Sequence, residues 1–403
     1  MRVVEINSVP YGSTMKVALG IYSVGKSLGN DFLLGTGYSY HPLSDLPSCY
    51  NCFSKKLGKA FHILFSYLTG IEGGFSHFAT RRFLQKIKTF KPDIIHLHNL
   101  HGSYINIPML FKFIKKNHVR IVWTLHDCWT FTGHCPHFKM VGCDKWKTRC
   151  YKCLQYREYP HSLFDNSKRM YRLKKKWFTG VKDMTIVTPS EWLAGLVKQS
   201  FLKDYPVKVI NNGIDLNVFR PRESDFRKKY GIPENKYLLL GVAFDWGVRK
   251  GLDIFIELFK RLPQEQFQII LVGTNKNIDK RLPKGVISIH RTQNQAELAE
   301  IYTAADIFVN PTREDNYPTV NMEAIACGTP VITFDTGGSP ECIDKTCGAV
   351  VPCGDVETLE KEILRICKQK IYTREDCVKR AKAFDQNEKY EEYVSLYKSF
   401  QRE

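Results

Sequence analysis

Short apolar runs of strand length alternate with amphipathic stretches along most of the chain. In the first half the runs are Met1–Ile6, Asp93–Leu97, Arg120–Leu125 and Asp183–Thr188. Ser190 suits the N-cap of a helix over Glu191–Gln199. A second series begins near Val207, with strands expected at Tyr237–Val242, Phe267–Val272, Val286–Ile289, Asp306–Asn310 and Val331–Phe334. Helices are expected at Leu252–Leu262 and Gln295–Ala305. Strands apolar on both faces, separated by helices, imply parallel sheets covered on both sides. The turn-rich Asn211–Asp215 falls between the two series, which places a domain junction around residues 203–215. The pattern therefore predicts an α/β chain of two doubly wound domains, 1–205 and 206–385. A final helical stretch, 386–403, can pack back on the first domain. Two such domains facing each other would leave a cleft between the carboxyl ends of their sheets, where ligands of open α/β sheets bind.

Length and charge sharpen this picture. A chain of 403 residues favours two domains over one. It has no apolar run of membrane-spanning length and no signal-peptide core, so a cytoplasmic protein is expected. The net charge of +18 is uneven. Residues 1–200 hold 29 Lys and Arg against 11 Asp and Glu, and the remainder holds 30 of each, so the whole excess lies in the first half. Such asymmetry points to a polyanionic partner such as acidic lipid, pyrophosphate or nucleic acid. Two basic-apolar stretches, Lys55–Leu68 and Lys168–Phe178, together with Arg81 and Arg82, suit a surface lying on anionic headgroups. An ordinary solvated helix face would read the same way. The expected location is thus cytoplasmic, peripheral on the inner face of the cell membrane.

The segment Arg313–Gly338 carries the most chemistry. Glu314 and Asp315 precede a second carboxylate, Glu323, with an Asn-Tyr-Pro turn between them. Pro318 fits the first position of a helix through Val320, Ala324 and Ile325, which Gly328 ends. The exposed N–H groups and dipole of a helix N-terminus attract anions. Carboxylates repel phosphate, so their natural partners there are sugar hydroxyls. A nucleotide-sugar satisfies both demands. Arg249-Lys250-Gly251, placed just before another helix, adds cations for a diphosphate. His126 ends a buried strand, where its imidazole could bond a sugar hydroxyl or move protons. Gly12, in the loop after the first strand, belongs to a permissive Tyr-Gly-Ser-Thr turn that does not match GxGxxG.

Thirteen cysteines in a reducing compartment should stay mostly as thiols, and Cys327 and Cys367 read as small core residues. Cys135, Cys143, Cys150 and Cys153 cluster in an insert, 133–155, with little periodic pattern. That density of thiols suits a structural zinc, with His134 and His137 in reserve. Reduced thiols or a disulfide are the alternatives. No Asp-x-Asp pair occurs, so protein cations rather than a divalent metal are expected to stabilise a leaving diphosphate.

These residues resemble the family 4 glycosyltransferases, and among them the capsule and exopolysaccharide branch, which carries a Thr-Leu-His-Asp-type turn followed by a cysteine-bearing insert. The likeness is strongest over 186–219, 249–255 and 304–352. It implies two facing Rossmann-like domains (the B-type fold) and retaining transfer from a nucleoside-diphosphate sugar. The family's paired acids fall on Asp315 and Glu323; the first would hold donor sugar hydroxyls and Glu323 the ribose diol. Glu314, just before Asp315, leaves two choices for the first acid. The diphosphate-binding lysine falls on Lys250. Its companion arginine, normally near Ala243, is absent, and Arg249 is the substitute on offer. The cleft histidine falls on His126. Backbone N–H groups at Asn316, Tyr317, Thr319 and Val320 would face the donor, and the base would lie against His290-Arg291-Thr292. The implied acceptor is a glycan or a polyprenyl-pyrophosphate-linked sugar, with no nucleic acid partner and no cofactor needed for catalysis. An epimerase or phosphorylase of the same layout is the competing enzyme class.

Overall fold

The computed structural model describes residues 1–39 and 46–400, which form two compact units. The first comprises Met1–Asn211 and the chain from Tyr390 onward; the second comprises Asn212–Lys389.

The first unit is built on seven parallel strands: β1 (Arg2–Asn7), β2 (Asp31–Thr36), β3 (Tyr50–Cys52), β4 (Ile94–Leu97), β5 (Arg120–Thr124), β6 (Met184–Thr188) and β7 (Val207–Val209). Their order is β3-β2-β1-β4-β5-β6-β7, so the strand order reverses between β1 and β4. The register sets Glu5 of β1 opposite His96 of β4, and His96 opposite Val122 of β5. Because β7 completes this sheet, the first unit runs to Asn211, past the boundary at residue 205 drawn from the sequence. Three-residue strands such as β3 and β7 are too short to show a period.

The second unit repeats the plan with six strands: β8 (Tyr237–Val242), β9 (Phe267–Val272), β10 (Ile287–Ile289), β11 (Ile307–Asn310), β12 (Val331–Phe334) and β13 (Gly348–Val351). Their order is β10-β9-β8-β11-β12-β13, with the reversal between β8 and β11. Central strands are buried along nearly their whole length, as expected for a sheet covered on both faces. At both reversals the loops leaving adjacent strands diverge, which opens a crevice at the carboxyl ends.

The last helix, Gln386–Ser399, starts in the second unit and finishes in the first. Tyr390, Tyr393, Leu396 and Tyr397 are buried with Val3, Ile94, Val122 and Val187 of the first sheet. Burial of each such side chain contributes about 1.5–3 kcal/mol. Gly20 makes room for it: a Cβ there would fall 2.0 Å from the Tyr390 ring. Arg120 closes the end, donating to the Phe400 carbonyl at 2.8 Å. The final three residues of the 386–403 stretch lie outside the described residues.

Candidate active site

In the second unit the polar groups gather at the carboxyl ends of β8 and β11. The loop after β8 ends in a short turn, Val248–Lys250, followed by the helix Leu252–Arg261. Gly251 joins them at φ 76°, a left-handed conformation, and a Cβ there would fall 2.4 Å from the Pro311 carbonyl oxygen. This close approach clamps the β8 loop against the β11 loop. Arg313 N–H donates to the Arg249 carbonyl at 2.8 Å, and the Arg313 guanidinium grips Asp253 at 2.8 and 2.6 Å. The result is an ion pair of Lys250 Nζ with Asp315 Oδ2 at 2.5 Å, both side chains mostly buried.

The helix after the β11 loop spans Thr319–Ala326. Pro318 is not its first helical residue, as the sequence suggested. It lies at the N-cap with extended backbone (ψ 117°), and the first turn begins at Thr319. The segment below is held by a buried polar chain. Asn310 Nδ2 donates to Asn321 Oδ1 at 2.7 Å, Asn321 Nδ2 donates to Ser339 at 3.2 Å, and Thr333 and Ser339 hydroxyls meet at 2.6 Å. Gly337 lets the next loop close over Asp315: Gly338 N–H donates to the Asp315 carbonyl at 3.2 Å. Any Cβ on Gly337 would collide with that carbonyl.

The two candidate acids differ in surroundings. Glu314 is buried, with its carbonyl accepting from Thr312 Oγ1 at 3.1 Å and facing Arg249 at 3.5 Å. Asp315 is the one against Lys250. Glu323, half-buried, accepts from the Tyr302 hydroxyl at 3.2 Å. Asn316 and Tyr317 are buried, while Thr319 and Val320 are half-buried at the helix start. Arg291 is exposed just past β10, beside His290, which bonds Asp279 at 2.6 Å. Sequence reasoning missed the Arg313–Asp253 clamp and the Tyr302 support, since nothing in their spacing marks them.

The first unit holds the other candidates. His126 follows β5 and is bonded through Nε2 to His98 Nδ1 at 3.1 Å. Its rings lie nearly parallel, 5.4 Å apart. Asp127, next in the chain, bonds His101 at 2.8 Å and accepts from Trp129 N–H at 2.8 Å. Although burial alone would raise it, His101 and these bonds hold the Asp127 carboxyl down at about 2. Burial pushes the His126 imidazole down to about 4 and His96 to about 3, and holds His98 well below the usual range. Gly12 opens the helix Gly12–Ser27 after β1, at φ 80°. The sequence reading missed His98, His101 and Glu5; the readable sign was His-Leu-His, which puts two imidazoles on one face of a buried strand.

In the insert, Cys135 and Cys153 are hydrogen-bonded to each other, which raises the first thiol and lowers the second. Cys150 Sγ accepts from Gly133 N–H at 3.1 Å, and burial pushes its thiol up to about 11. Cys143 and Cys150 both lie near enough to Cys135 to act on its charge. Among the described residues, the one group of three metal-capable side chains with all ligand atoms within 4.8 Å is Glu5, His96 and His98 rather than the cysteines.

The basic-apolar stretches form the helices Lys56–Thr69 and Ser167–Phe178. The first is inverted relative to a core-facing helix. Lys59, His62 and Ser66 are buried, while Leu57, Phe61, Leu64, Phe65 and Leu68 are exposed on one face. Two lysines leave the expected basic surface. Lys59 Nζ donates to the Tyr38 carbonyl at 2.9 Å. Lys174 donates to the Trp129 carbonyl at 2.6 Å and lies over the Trp129 ring at 3.4 Å; burial lowers it to about 7. Among the described residues, no helix is long and apolar enough to cross a membrane.

Comparison with known proteins agrees with this layout. Residues 56–218 match the model described as Glycosyltransferase Family 4, and residues 222–384 match Glycosyl transferases group 1. The putative colanic acid biosynthesis glycosyl transferase WcaC of Escherichia coli is 26% identical over 332 residues, covering 77% of this chain and 78% of WcaC. Sucrose-phosphate synthase from Thermosynechococcus elongatus superposes with a TM-score of 0.73 at 17% identity, covering 100% of this chain and 99% of that one. Anabaena HepE in complex with UDP-glucose gives a TM-score of 0.62 at 15% identity, covering 98% of this chain and 100% of that one. At these identities the solved structures speak for the fold.

The histidine cluster sets a pH signature. His96, His98 and His126 each take up a proton on unfolding below their free value of 6.5, which opposes folding in acid. Glu5, raised by burial from 4.5, works in the opposite sense above 4.5. Three imidazoles outweigh one carboxyl, and the buried His62, lowered to about 4, adds in their sense, so the unfolded state is favoured as pH falls from 6.5 toward about 4.5. Stability should therefore drop by on the order of 1–3 kcal/mol per pH unit in that window. Chemical denaturation across pH 7.5 to 4.5 checks this. A His98→Asn variant should show a shallower slope, and an equal slope would contradict the assignment.

Proposed function

Because the chain belongs to the glycosyltransferases that join a family 4 domain to a group 1 domain, we propose that it moves a sugar from a nucleoside-diphosphate sugar to a glycan or polyprenyl-pyrophosphate-linked acceptor, with retention of anomeric configuration, in cell-surface polysaccharide synthesis. The observation that carries the donor assignment is the Lys250–Asp315 pair beside the N-terminus of the helix Thr319–Ala326. That arrangement offers a cation and backbone donors to a diphosphate, and a carboxylate to sugar hydroxyls. Lys250 and Arg249 take the diphosphate. Asp315, rather than the buried Glu314, takes the donor sugar, and Glu323, steadied by Tyr302, takes the ribose diol. N–H groups of Tyr317, Thr319 and Val320 line the donor, that of Asn316 instead donates to Asp315 Oδ1 at 3.0 Å, Arg291 flanks the base, and Gly12 and His126 serve the sugar and acceptor. HepE is seen with UDP-glucose, so a UDP-hexose is the first donor to try.

The proposed chemistry is substitution from one face. The acceptor oxygen bonds to the anomeric carbon as the bond from that carbon to the diphosphate oxygen breaks. The acceptor's proton passes to the departing phosphate. Charge gathers on the diphosphate, where Lys250, Arg249 and the helix terminus oppose it. Each charged hydrogen bond contributes about 1.5–3 kcal/mol. Without an Asp-x-Asp pair, these protein cations are the proposed substitute for a divalent metal.

We further propose that the helix Lys56–Thr69 rests on anionic lipid. Leu57 is 74% exposed and Phe61 59%, and the neighbouring Phe78 is 85% exposed. Exposed Lys55, Lys56, Arg81 and Arg82 border them, and His62 bonded to Ser76 at 2.7 Å ties the two helices. Basic charge around an apolar face matches anionic headgroups over acyl chains. For the insert, we propose a structural zinc held by Cys135, Cys143, Cys150 and Cys153. The Cys135–Cys153 contact and the N–H donated to Cys150 support it, and the metal would draw the other sulfurs in.

Thermal-shift screening of UDP-, GDP- and ADP-sugars, then turnover, identifies the donor. With that donor, Lys250→Ala and Glu323→Ala should each lower kcat/KM by about tens- to hundreds-fold. Near-normal turnover by either variant would refute its role, and an inverted product anomer would refute retention. Phe61→Ser with Leu64→Ser should weaken co-sedimentation with phosphatidylglycerol vesicles by about tenfold or more; unchanged binding would remove the helix from the membrane assignment. Elemental analysis should find one zinc per chain, lost in Cys150→Ser along with a lowered Tm. Metal-free wild-type protein purified without chelator would contradict the zinc site.

A further inference from the structure

Glu5 is a fully buried carboxyl group among imidazoles, and its position has a chemical consequence. Its oxygens lie 3.9 Å from His96 Nδ1 and 3.9 Å from His98 Nε2. Strand pairing sets this up: Glu5 is opposite His96, and His98 is two residues further along the same face. Neither Glu5 oxygen has a hydrogen-bond partner, and neither does His98 Nε2.

The Thr124 hydroxyl donates to the Tyr393 hydroxyl at 3.3 Å, which uses its one hydrogen. With the Thr124 hydrogen placed there, His96 Nε2, 2.8 Å from that same Thr124 oxygen, is assigned as the donor between them. His96 Nδ1 is left with a lone pair, and the Tyr397 hydroxyl at 2.6 Å donates to it. His96 is thereby satisfied. The ring nitrogen left facing Glu5 is His98 Nε2, 3.9 Å from its carboxyl and about 1 Å beyond hydrogen-bond range.

We propose that Glu5, as a neutral carboxyl group, is a positioning residue that fixes the tautomer of His126 through His98. The Glu5 O–H is presented to His98 Nε2. His98 then carries its hydrogen on Nδ1 and donates it to His126 Nε2 at 3.1 Å. His126 Nε2 is an acceptor, so the His126 hydrogen is on Nδ1. An ionised Glu5 would reverse every step and leave His126 with its hydrogen on Nε2. Burial raises Glu5 well above the usual carboxyl range, which favours the first arrangement. The effect on catalysis rests on the sugar- and acceptor-side role proposed for His126; the tautomer does not.

Long-range nitrogen–proton NMR correlations on histidine-labelled protein read the tautomer directly. Wild type should show His126 with hydrogen on Nδ1. Glu5→Gln keeps a donor of the same shape and should retain that tautomer and near-normal kcat. Glu5→Leu should leave His126 as a mixture of tautomers and lower kcat on the order of tenfold, the worth of one buried hydrogen bond, with KM little changed. A wild-type His126 carrying its hydrogen on Nε2 would overturn the proposal even if Glu5→Leu fails to fold. So would an unchanged tautomer in folded Glu5→Leu, or a stoichiometric metal lost on Glu5→Gln, which would make Glu5, His96 and His98 ligands instead. A tautomer that shifts as stated while kcat holds would keep the relay and remove His126 from catalysis.

Discussion

The ion pair of Lys250 with Asp315 is the contact around which the loops leaving the second unit's central strands are arranged. It joins the loops leaving β8 and β11, the two strands at which the sheet's order reverses. An exposed pair of this kind would contribute little. This one is mostly buried and braced on each side, by Gly251 pressed against Pro311 and by Arg313 gripping Asp253. Bracing fixes the ammonium in place, so the proposed diphosphate would need little reorganisation when negative charge appears beside it. The buried Asn310, Asn321, Thr333 and Ser339 chain does the same for the helix terminus next to it.

The first unit follows another logic. Its central strands carry Glu5, His96 and Thr124 in a sheet that should be apolar, and the last helix supplies Tyr393 and Tyr397 to meet them. A polar layer inside a core is tolerated when its members satisfy one another. Here nearly every hydrogen has an assigned place. The exception is Glu5 with His98 Nε2, and that exception leads by one bond to His126.

The sheets were readable because apolar strands and intervening helices repeat with a regular rhythm. β3 and β7 escaped because three residues cannot show a period. Lys250, Asp315 and Glu323 stood out because charge beside a helix start has few structural uses, and the structure sets Lys250 against Asp315. The difference in surroundings between Glu314 and Asp315 was not legible, since neighbours in sequence differ in burial only once the loop is folded. Lys59 and Lys174 misled for a related reason: a lysine beside apolar residues reads as surface until a backbone carbonyl is found to receive it. Pro318 was placed one step too far into its helix, because its fixed φ suits both the N-cap and the next position.

The central claim is that the loops after β8 and β11 hold a nucleoside diphosphate. Hydrogen exchange of the full chain, with and without UDP, GDP or ADP, tests it without needing the acceptor. The account predicts that whichever diphosphate binds will slow exchange at residues 249–252 and 315–323, with smaller changes elsewhere in the second unit. Saturable binding that leaves both segments unprotected would contradict it.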